Sequence, residues 1–386
     1  MMPKKIYSVN FCLTAIAFIL LTLYSFSQID LNLTLSGYLY YQKFQNMMIG
    51  LGYYRRPLSA AIYLILLVLI FLTYLKWLKL IRKYKISRNQ LKWLLLIIVL
   101  AGIFSYPAFS HDIFNYLFDA RIVTKYHLNP YVYSALDFPR DLWTRFMHWT
   151  HRTYPYGPVW LAATIPFSFI GFQKFVLTLL SFKFLFVLIY SGNLFLIGKI
   201  TASPEKGLNM GNMLYFGLNP LVIIESLVSP HNESLMLFFL LLFFYYYWSN
   251  KKGQALMFLG FSVLVKYLTG AVIPLLFIPV KKLKENREFF LTVSLAAVAL
   301  LLLYQIYIRE AYPWYFLTII GIISLITNSY LRLFAIVLSF SALLRYVPFI
   351  YYGRYDQTAL LLTEVLFLLP LALIVTLPLF KISFKR

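Results

Sequence analysis

Long apolar runs separated by short polar or basic turns recur along nearly the whole chain, the pattern of membrane-spanning helices. They predict spans at Tyr7 to Phe26, Leu58 to Leu75, Trp93 to Phe109, Phe175 to Ile197 and Met210 to Val228. Further spans are predicted at Ser234 to Trp248, Phe289 to Tyr307, Trp314 to Ile326, Leu333 to Ile350 and Ala359 to Phe380. Two apolar segments break the alternation. Val159 to Gly171 would need an odd extra crossing and reads as re-entrant or interfacial, tolerated at membrane depth only where protein or a wet cavity surrounds it. Gln254 to Pro279 has positive charge at both ends and Lys266 in the middle, which fits a helical hairpin. The predicted fold is an all-α polytopic transmembrane bundle of about ten to twelve spans. It is read as one domain over 1–386, with C-terminal helices at 289–380 and a large outer loop at 110–157 between the third and fourth spans.

Composition agrees with this reading. Hydrophobic residues make up 61% of the 386 positions and charged residues 12%, and the mean hydropathy is +0.75. No water-soluble domain hides that much apolar surface in one core. A net charge of +22 would suggest nucleic acid in a soluble protein, but the basic residues cluster between apolar runs. Lys76, Lys79, Arg82, Lys83, Lys85, Arg88 and Lys92 follow one another without an acid, as cytoplasmic loops do under the positive-inside rule. Placing that loop inside, with the N-terminus, Lys199 to Lys206, Ser249 to Gly253, Lys281 to Arg287 and Lys381 to Arg386, gives a consistent topology. Membrane lipids are the implied surroundings, and nucleic acid is not needed to explain the charge. The start lacks a small-residue cleavage site and reads as an uncleaved first span. The single cysteine, Cys12, excludes intrachain disulfides and cysteine-rich metal sites.

On this topology the outer face collects Ser27 to Arg56, Ser110 to Gly157, Ser229 to Glu233, Arg309 to Tyr312 and Tyr351 to Gln357. The second is the richest. His111 and Asp112 fall where the third span leaves the membrane, a costly place for an idle carboxylate. In a helix, Asp112, Asn115, Tyr116 and Asp119 share one face at i, i+3, i+4 and i+7. One carboxylate could act as a general base, or both could simply pair with Arg121 or Lys125. Tyr156, in Tyr154 to Pro158, could contact a sugar ring or anchor the interface. His127, His148 and His151 form no recognisable zinc spacing. In the turn Ser229 to Glu233, His231, Asn232 and Glu233 offer hydrogen bonds or proton transfer as a second wall of the same cavity, or Ser229 or Asn232 caps a helix. Asn32 to Thr34 and Asn232 to Ser234 also match the N-glycosylation triplet.

Glu225, Lys266 and Arg345 interrupt apolar runs, and intramembrane charge is a site hypothesis by default. Arg345 could grip a phosphate bidentately or snorkel to headgroups. Lys266 could meet the same anion as a point charge or pair with Glu225. Together these features describe an outward-facing cavity with carboxylates at its mouth and cations within reach of a lipid phosphate.

The ordered set of motifs resembles the GT-C superfamily of membrane glycosyltransferases, and within it bacterial polyprenol-phosphate-dependent mannosyltransferases. The resemblance covers most of the chain. HDIFNY at His111 to Tyr116 resembles the acidic motif of the first large outer loop, followed by LNPY at Leu128 to Tyr131 and PYGPVW at Pro155 to Trp160. NPLVIIE with SPHNESLM resembles the asparagine-proline segment and its HND-type turn, with Glu233 where an aspartate is usual. LVKYLTGAVIPLLF and YPWYF resemble the lysine-proline hairpin and a later outer turn. The absence of a soluble outer domain suggests a small or lipid-linked acceptor.

The resemblance implies an inverting transfer of a hexose, mannose by family weight, from a polyprenyl-phosphate-linked donor to a lipid or glycan acceptor. The active site is expected to face outside at the cell membrane, with Asp112 at the family's base position. His111 and Asp119 accompany it as catalytic candidates. Asn115, Tyr116, Tyr156, His231, Asn232, Glu233, Lys266 and Arg345 are candidates for substrate binding. No cofactor or metal site is implied, and the sequence does not determine whether a metal is needed. Competing readings are a transporter or flippase of a lipid-linked saccharide, for which no paired halves are found, and a non-catalytic subunit of a glycosylation complex.

Overall fold

The computed structural model describes residues 1–203, 207–277 and 286–383, with side chains described as far as 374. The expected basic turns at 199–206 and 281–287, the end of the hairpin segment at 254–279 and the tail at 381–386 lie partly outside the described residues. Among the described residues the regular structure is helical, apart from an isolated bridge between Ser203 and Gly207. Its first part comprises α1 (Lys4–Ser25), α2 (Leu39–Tyr54), α3 (Arg56–Lys83), α4 (Arg88–Phe104), α5 (Asp112–Tyr126), α6 (Pro158–Ile170) and α7 (Phe175–Ile200). There follow α8 (Met210–Gly217), α9 (Pro220–Ile223) with a wide π turn at Ile224–Val228, α10 (Glu233–Trp248), α11 (Lys252–Val265) and a 3-10 segment at Tyr267–Leu276. The chain closes with α12 (Arg287–Ile308), α13 (Leu317–Leu325), α14 (Ser329–Leu344), α15 (Tyr346–Tyr352) and α16 (Gln357–Ser383).

Among the described residues, six helical stretches are long and apolar enough to cross a membrane, and seven if the bent pair α8–α9 counts as one. The remaining predicted crossings fall on shorter helices. α10 has 16 residues, about 24 Å at 1.5 Å per residue against a hydrocarbon core of about 30 Å. α4 stops at Phe104, so the predicted span Trp93 to Phe109 ends in extended chain. Every residue of α13 is buried, so the apolar run Trp314 to Ile326 is protein core in which hydropathy cannot distinguish lipid from protein surroundings. α6, at 13 residues, is too short to cross, as a re-entrant or interfacial segment should be. The loop Ser27 to Arg56, read as merely polar, contains α2.

Local chemistry accounts for the breaks that matter. Asn219 and Pro220 bend the central span by 66°: the Asn219 side chain accepts from the Leu221 and Val222 amides, and proline suits the first helical position because it lacks an N–H. The bent span is almost wholly buried and packs against α3, α4, α7 and α14. α4 opens with a capping box, Ser87 Oγ accepting from Gln90 N and Gln90 Oε1 accepting from Ser87 N. α5 ends at Tyr126, ahead of Pro130: His127 adopts the left-handed conformation, and Leu128 N reaches back to Ile122 O at 3.1 Å, a Schellman-type stop. At Lys266 the chain turns extended between α11 and the 3-10 segment, and Ser262 and Thr269 hydrogen-bond across that break at 2.8 Å.

Candidate active site

The site lies where the start of α5, the turn before α10 and the break after α11 meet. Asp112 is the first residue of α5, where the helix dipole favours a carboxylate. Its Oδ2 is 3.8 Å from His231 Nε2. On the other side of that imidazole, Nδ1 is 3.1 Å from Glu225 Oε2, and Glu225 Oε1 accepts from the Tyr346 hydroxyl at 2.8 Å. The ring of His231 stacks on Trp314 with centroids 3.9 Å apart and 12° between planes, and Trp314 stacks in turn on Tyr312. The imidazole is thus fixed face-on by an indole and edge-on between two carboxylates.

The opposite wall is an ion pair. Lys266 Nζ donates to Glu233 Oε1, with the rings of Tyr315 and Tyr156 centred 5.1 and 5.8 Å from the ammonium. Tyr156 reaches this place because Gly157 lies against the end of α11. Gly157 N donates to Val265 O at 3.2 Å, and a Cβ there would stand 1.8 Å from the Leu264 carbonyl oxygen. The Tyr156 ring meets Tyr116 of α5 edge-on at 5.4 Å. In the segments that meet here, Asn115 Oδ1, the Tyr116 hydroxyl, Glu225 Oε2, both ring nitrogens of His231, both polar side-chain atoms of Asn232 and Glu233 Oε2 are buried without a hydrogen-bond partner among the described residues. Buried polar groups are rarely left so, and a hydroxyl-rich ligand would supply what they lack.

Electrostatics separate the two carboxylates of α5. Burial pushes the Asp112 carboxyl up to about 6; Lys266, the Tyr156 hydroxyl and Arg152 pull it down, and Glu233 pushes it further up. Asp119, two turns along, is buried more completely, and burial with the Asp112 charge drives it well above the carboxylate range. Burial, then Lys266, hold the His231 imidazole well below its ordinary value, so it stands neutral. His111 stacks on His148, in the loop between α5 and α6, at 3.8 Å. Burial, then His148, bring it down to about 3.

Several alternatives are settled by these contacts. Arg121 and Lys125 do not pair with Asp112 or Asp119; both reach Asp141, at 2.8 and 2.9 Å. Lys266 pairs with Glu233 and not with Glu225. Asn232 stands at the N-cap of α10 but its side chain caps nothing, while Ser229 Oγ accepts from Phe109 N at 2.9 Å. Asn232 is wholly buried, which removes its glycosylation triplet from the surface. Arg345 does not snorkel: it is buried, with Glu364 Oε1 at 2.9 Å and Glu310 Oε2 at 3.9 Å, beside the site and not in contact with Asp112. The partners Trp314 and Tyr346, and the role of Glu225 beneath His231, are not readable from the chain. Lys183, buried in α7, is a further ionisable residue inside a span, which the chain itself signals. Among the described residues no three His, Cys, Asp or Glu side chains converge to hold a metal ion.

Residues 33–281 match the family described as alpha-(1->6)-mannopyranosyltransferase, N-terminal domain. A curated relative, alpha-(1->6)-mannopyranosyltransferase A of Corynebacterium glutamicum, is 29% identical over 139 residues. That stretch is 35% of this chain and 27% of the relative, so the chain matches about a quarter of the relative's length. No solved structure matches.

Proposed function

This chain belongs to the alpha-(1->6)-mannopyranosyltransferase family, and from that premise we propose that it is a hexosyltransferase with Asp112 as general base. The donor in this reading is a polyprenyl-phosphate-linked hexose, mannose by family weight, and the acceptor is a lipid or glycan hydroxyl at the outer face of the cell membrane. The observation that carries the reading is the geometry at Asp112. One carboxylate, held at about 6, stands 3.8 Å from His231 Nε2 in a junction of segments whose buried polar atoms lack partners. A base poised near working pH combines the right protonation state with driving force.

In the proposed reaction the acceptor hydroxyl gives its proton to Asp112 as its oxygen attacks the anomeric carbon. The bond from that carbon to the phosphate oxygen breaks, and polyprenyl phosphate leaves with the electron pair. Configuration inverts because attack and departure lie on opposite faces. His231, held neutral, stands with Nε2 3.8 Å from Asp112 Oδ2 and orients that carboxylate, which keeps the proton as the stronger base of the two. Lys266 offsets charge growing on the phosphate, in competition with Glu233. Arg345, held by Glu364 and Glu310, acts at the rim. Asn115, Tyr116, Tyr156 and Asn232 hydrogen-bond and pack the sugar. His111 and Asp119 shape the walls.

The test is transfer of labelled sugar from polyprenyl-phosphate mannose, and separately glucose, to a membrane lipid extract by purified wild type and Asp112→Asn. Transfer by wild type alone supports donor class and base together. Transfer by neither, from folded preparations with a full acceptor extract, would turn the reading to transport or to a non-catalytic subunit.

A further inference from the structure

Lys183 sits inside α7, two turns from its start and 2% exposed, where a membrane helix ordinarily carries an apolar side chain. Instead of a carboxylate, its ammonium meets three backbone carbonyls: Val228 at 2.6 Å, Leu227 at 2.7 Å and Gly102 at 3.1 Å. An ammonium has three N–H donors, so the three acceptors use all of them. Each carbonyl lies in the last turn of a helical segment, α4 for Gly102 and the π turn for Leu227 and Val228. Such carbonyls lack partners within the helix and carry the negative end of its dipole. Two negative helix ends therefore converge on one buried cation.

Their approach is close enough to need a glycine. A Cβ on Gly102 would fall 2.6 Å from Leu227 Cβ. From this junction the two chains run on to the site: beyond Gly102 to His111 and Asp112, beyond Val228 to His231, Asn232 and Glu233. Between junction and site they are tied once more, by the Phe109 amide on Ser229 Oγ.

We infer that Lys183 is a positioning residue, which fastens the segment carrying Asp112 to the turn carrying His231 and so sets the 3.8 Å approach of imidazole to carboxylate. The inference rests on the proposed role of Asp112. An apolar residue in its place takes this donor from the Leu227 and Val228 carbonyls, leaves Gly102 O with Ser105 Oγ alone and apposes two like-signed helix ends, and the segments part where the site requires them together.

The experiment compares Lys183→Met, Lys183→Gln and Lys183→Arg with wild type and Asp112→Asn, reading kcat, donor KM and hydrogen exchange of the detergent-solubilised protein. A displacement of about 1 Å at a catalytic pair costs about a hundredfold in rate, so Lys183→Met should lower kcat by about ten- to a hundredfold with donor KM little changed. Its exchange protection should fall in peptides covering 105–112 and 225–235. Lys183→Arg, which still donates to carbonyls, should restore most of both, and Lys183→Gln, with two donors, should fall between; it carries the comparison if Lys183→Met does not fold. Wild-type kcat and protection in Lys183→Met would overturn the inference, as would protection lost evenly across the whole bundle. If Asp112→Asn retains turnover, the proposed base is wrong, and the exchange measurements still judge the Lys183 link on their own.

Discussion

Replacing Asp112 by asparagine keeps the size of the side chain and most of its hydrogen bonding while removing its charge. In the folded protein the Asp112 carboxyl rises from 3.8 to about 6, so the ionised form is disfavoured by about 3 kcal/mol at 1.36 kcal/mol per pH unit. The sign follows from proton binding: between pH 4 and pH 6 the folded state holds a proton that the unfolded chain has released, so stability falls as pH rises through that window and is level above it. Asp112→Asn escapes this penalty. At about pH 7.5 it should therefore melt higher than wild type, by roughly 5 °C for a stabilisation approaching 3 kcal/mol, and the advantage should vanish near pH 4. Turnover should meanwhile fall by about a hundred- to ten-thousandfold, the usual contribution of a general base. The assay is thermal unfolding in detergent at both pH values beside sugar transfer on the same preparations. A variant that melts lower than wild type at neutral pH would refute the account of Asp112 as a carboxylate held at a cost, and a variant that still turns over would refute its role as base.

The remaining predictions concern the surroundings of that residue. The rate at low donor concentration should rise with pH through about 6, since only the ionised Asp112 accepts a proton; a profile flat from pH 5 to 8 would count against it. Lys266→Met should weaken donor binding more than acceptor binding, read as a rise in donor KM, and equal effects on both would deny it the phosphate. Asp141 is pushed up by burial but held well below its ordinary range by hydrogen bonds from Tyr126, Arg121 and Lys125. Asp141→Asn breaks a buried cluster and should cost about 3 to 5 kcal/mol, seen as lost exchange protection across 110–157; unchanged protection would show the cluster to be dispensable. Gly157→Ala puts a methyl 1.8 Å from the Leu264 carbonyl oxygen, so it should displace Tyr156 and lower activity even at saturating donor, whereas normal kinetics would mean that α11 yields freely.

Much of this protein is legible in the chain because hydropathy and breaking residues are local. The helical bundle, the re-entrant or interfacial character of α6 and the polar interruptions at Asp112, His231, Glu233 and Lys266 all follow from a residue and its near neighbours, whereas Met210 to Val228 reads as one span and only the structure shows its bend at Asn219 and Pro220. The resemblance of the ordered motifs to membrane mannosyltransferases follows too, and the family match agrees with it.

Partner choice was decided only in three dimensions. Lys266 had Glu225 and Glu233 to choose from and took the second; Glu225 instead meets a tyrosine 121 positions away. Arg121 and Lys125 found Asp141, which left Asp112 free to face His231. The apolar run at α13 became protein core although its composition suits lipid equally well, because what surrounds a hydrophobic segment is a property of the packing around it. Lys183 shows the same limit from the other side. The sequence holds an ionisable residue inside a span, but its three acceptors are backbone carbonyls, which every residue carries, and only the meeting of two helix ends makes them a site.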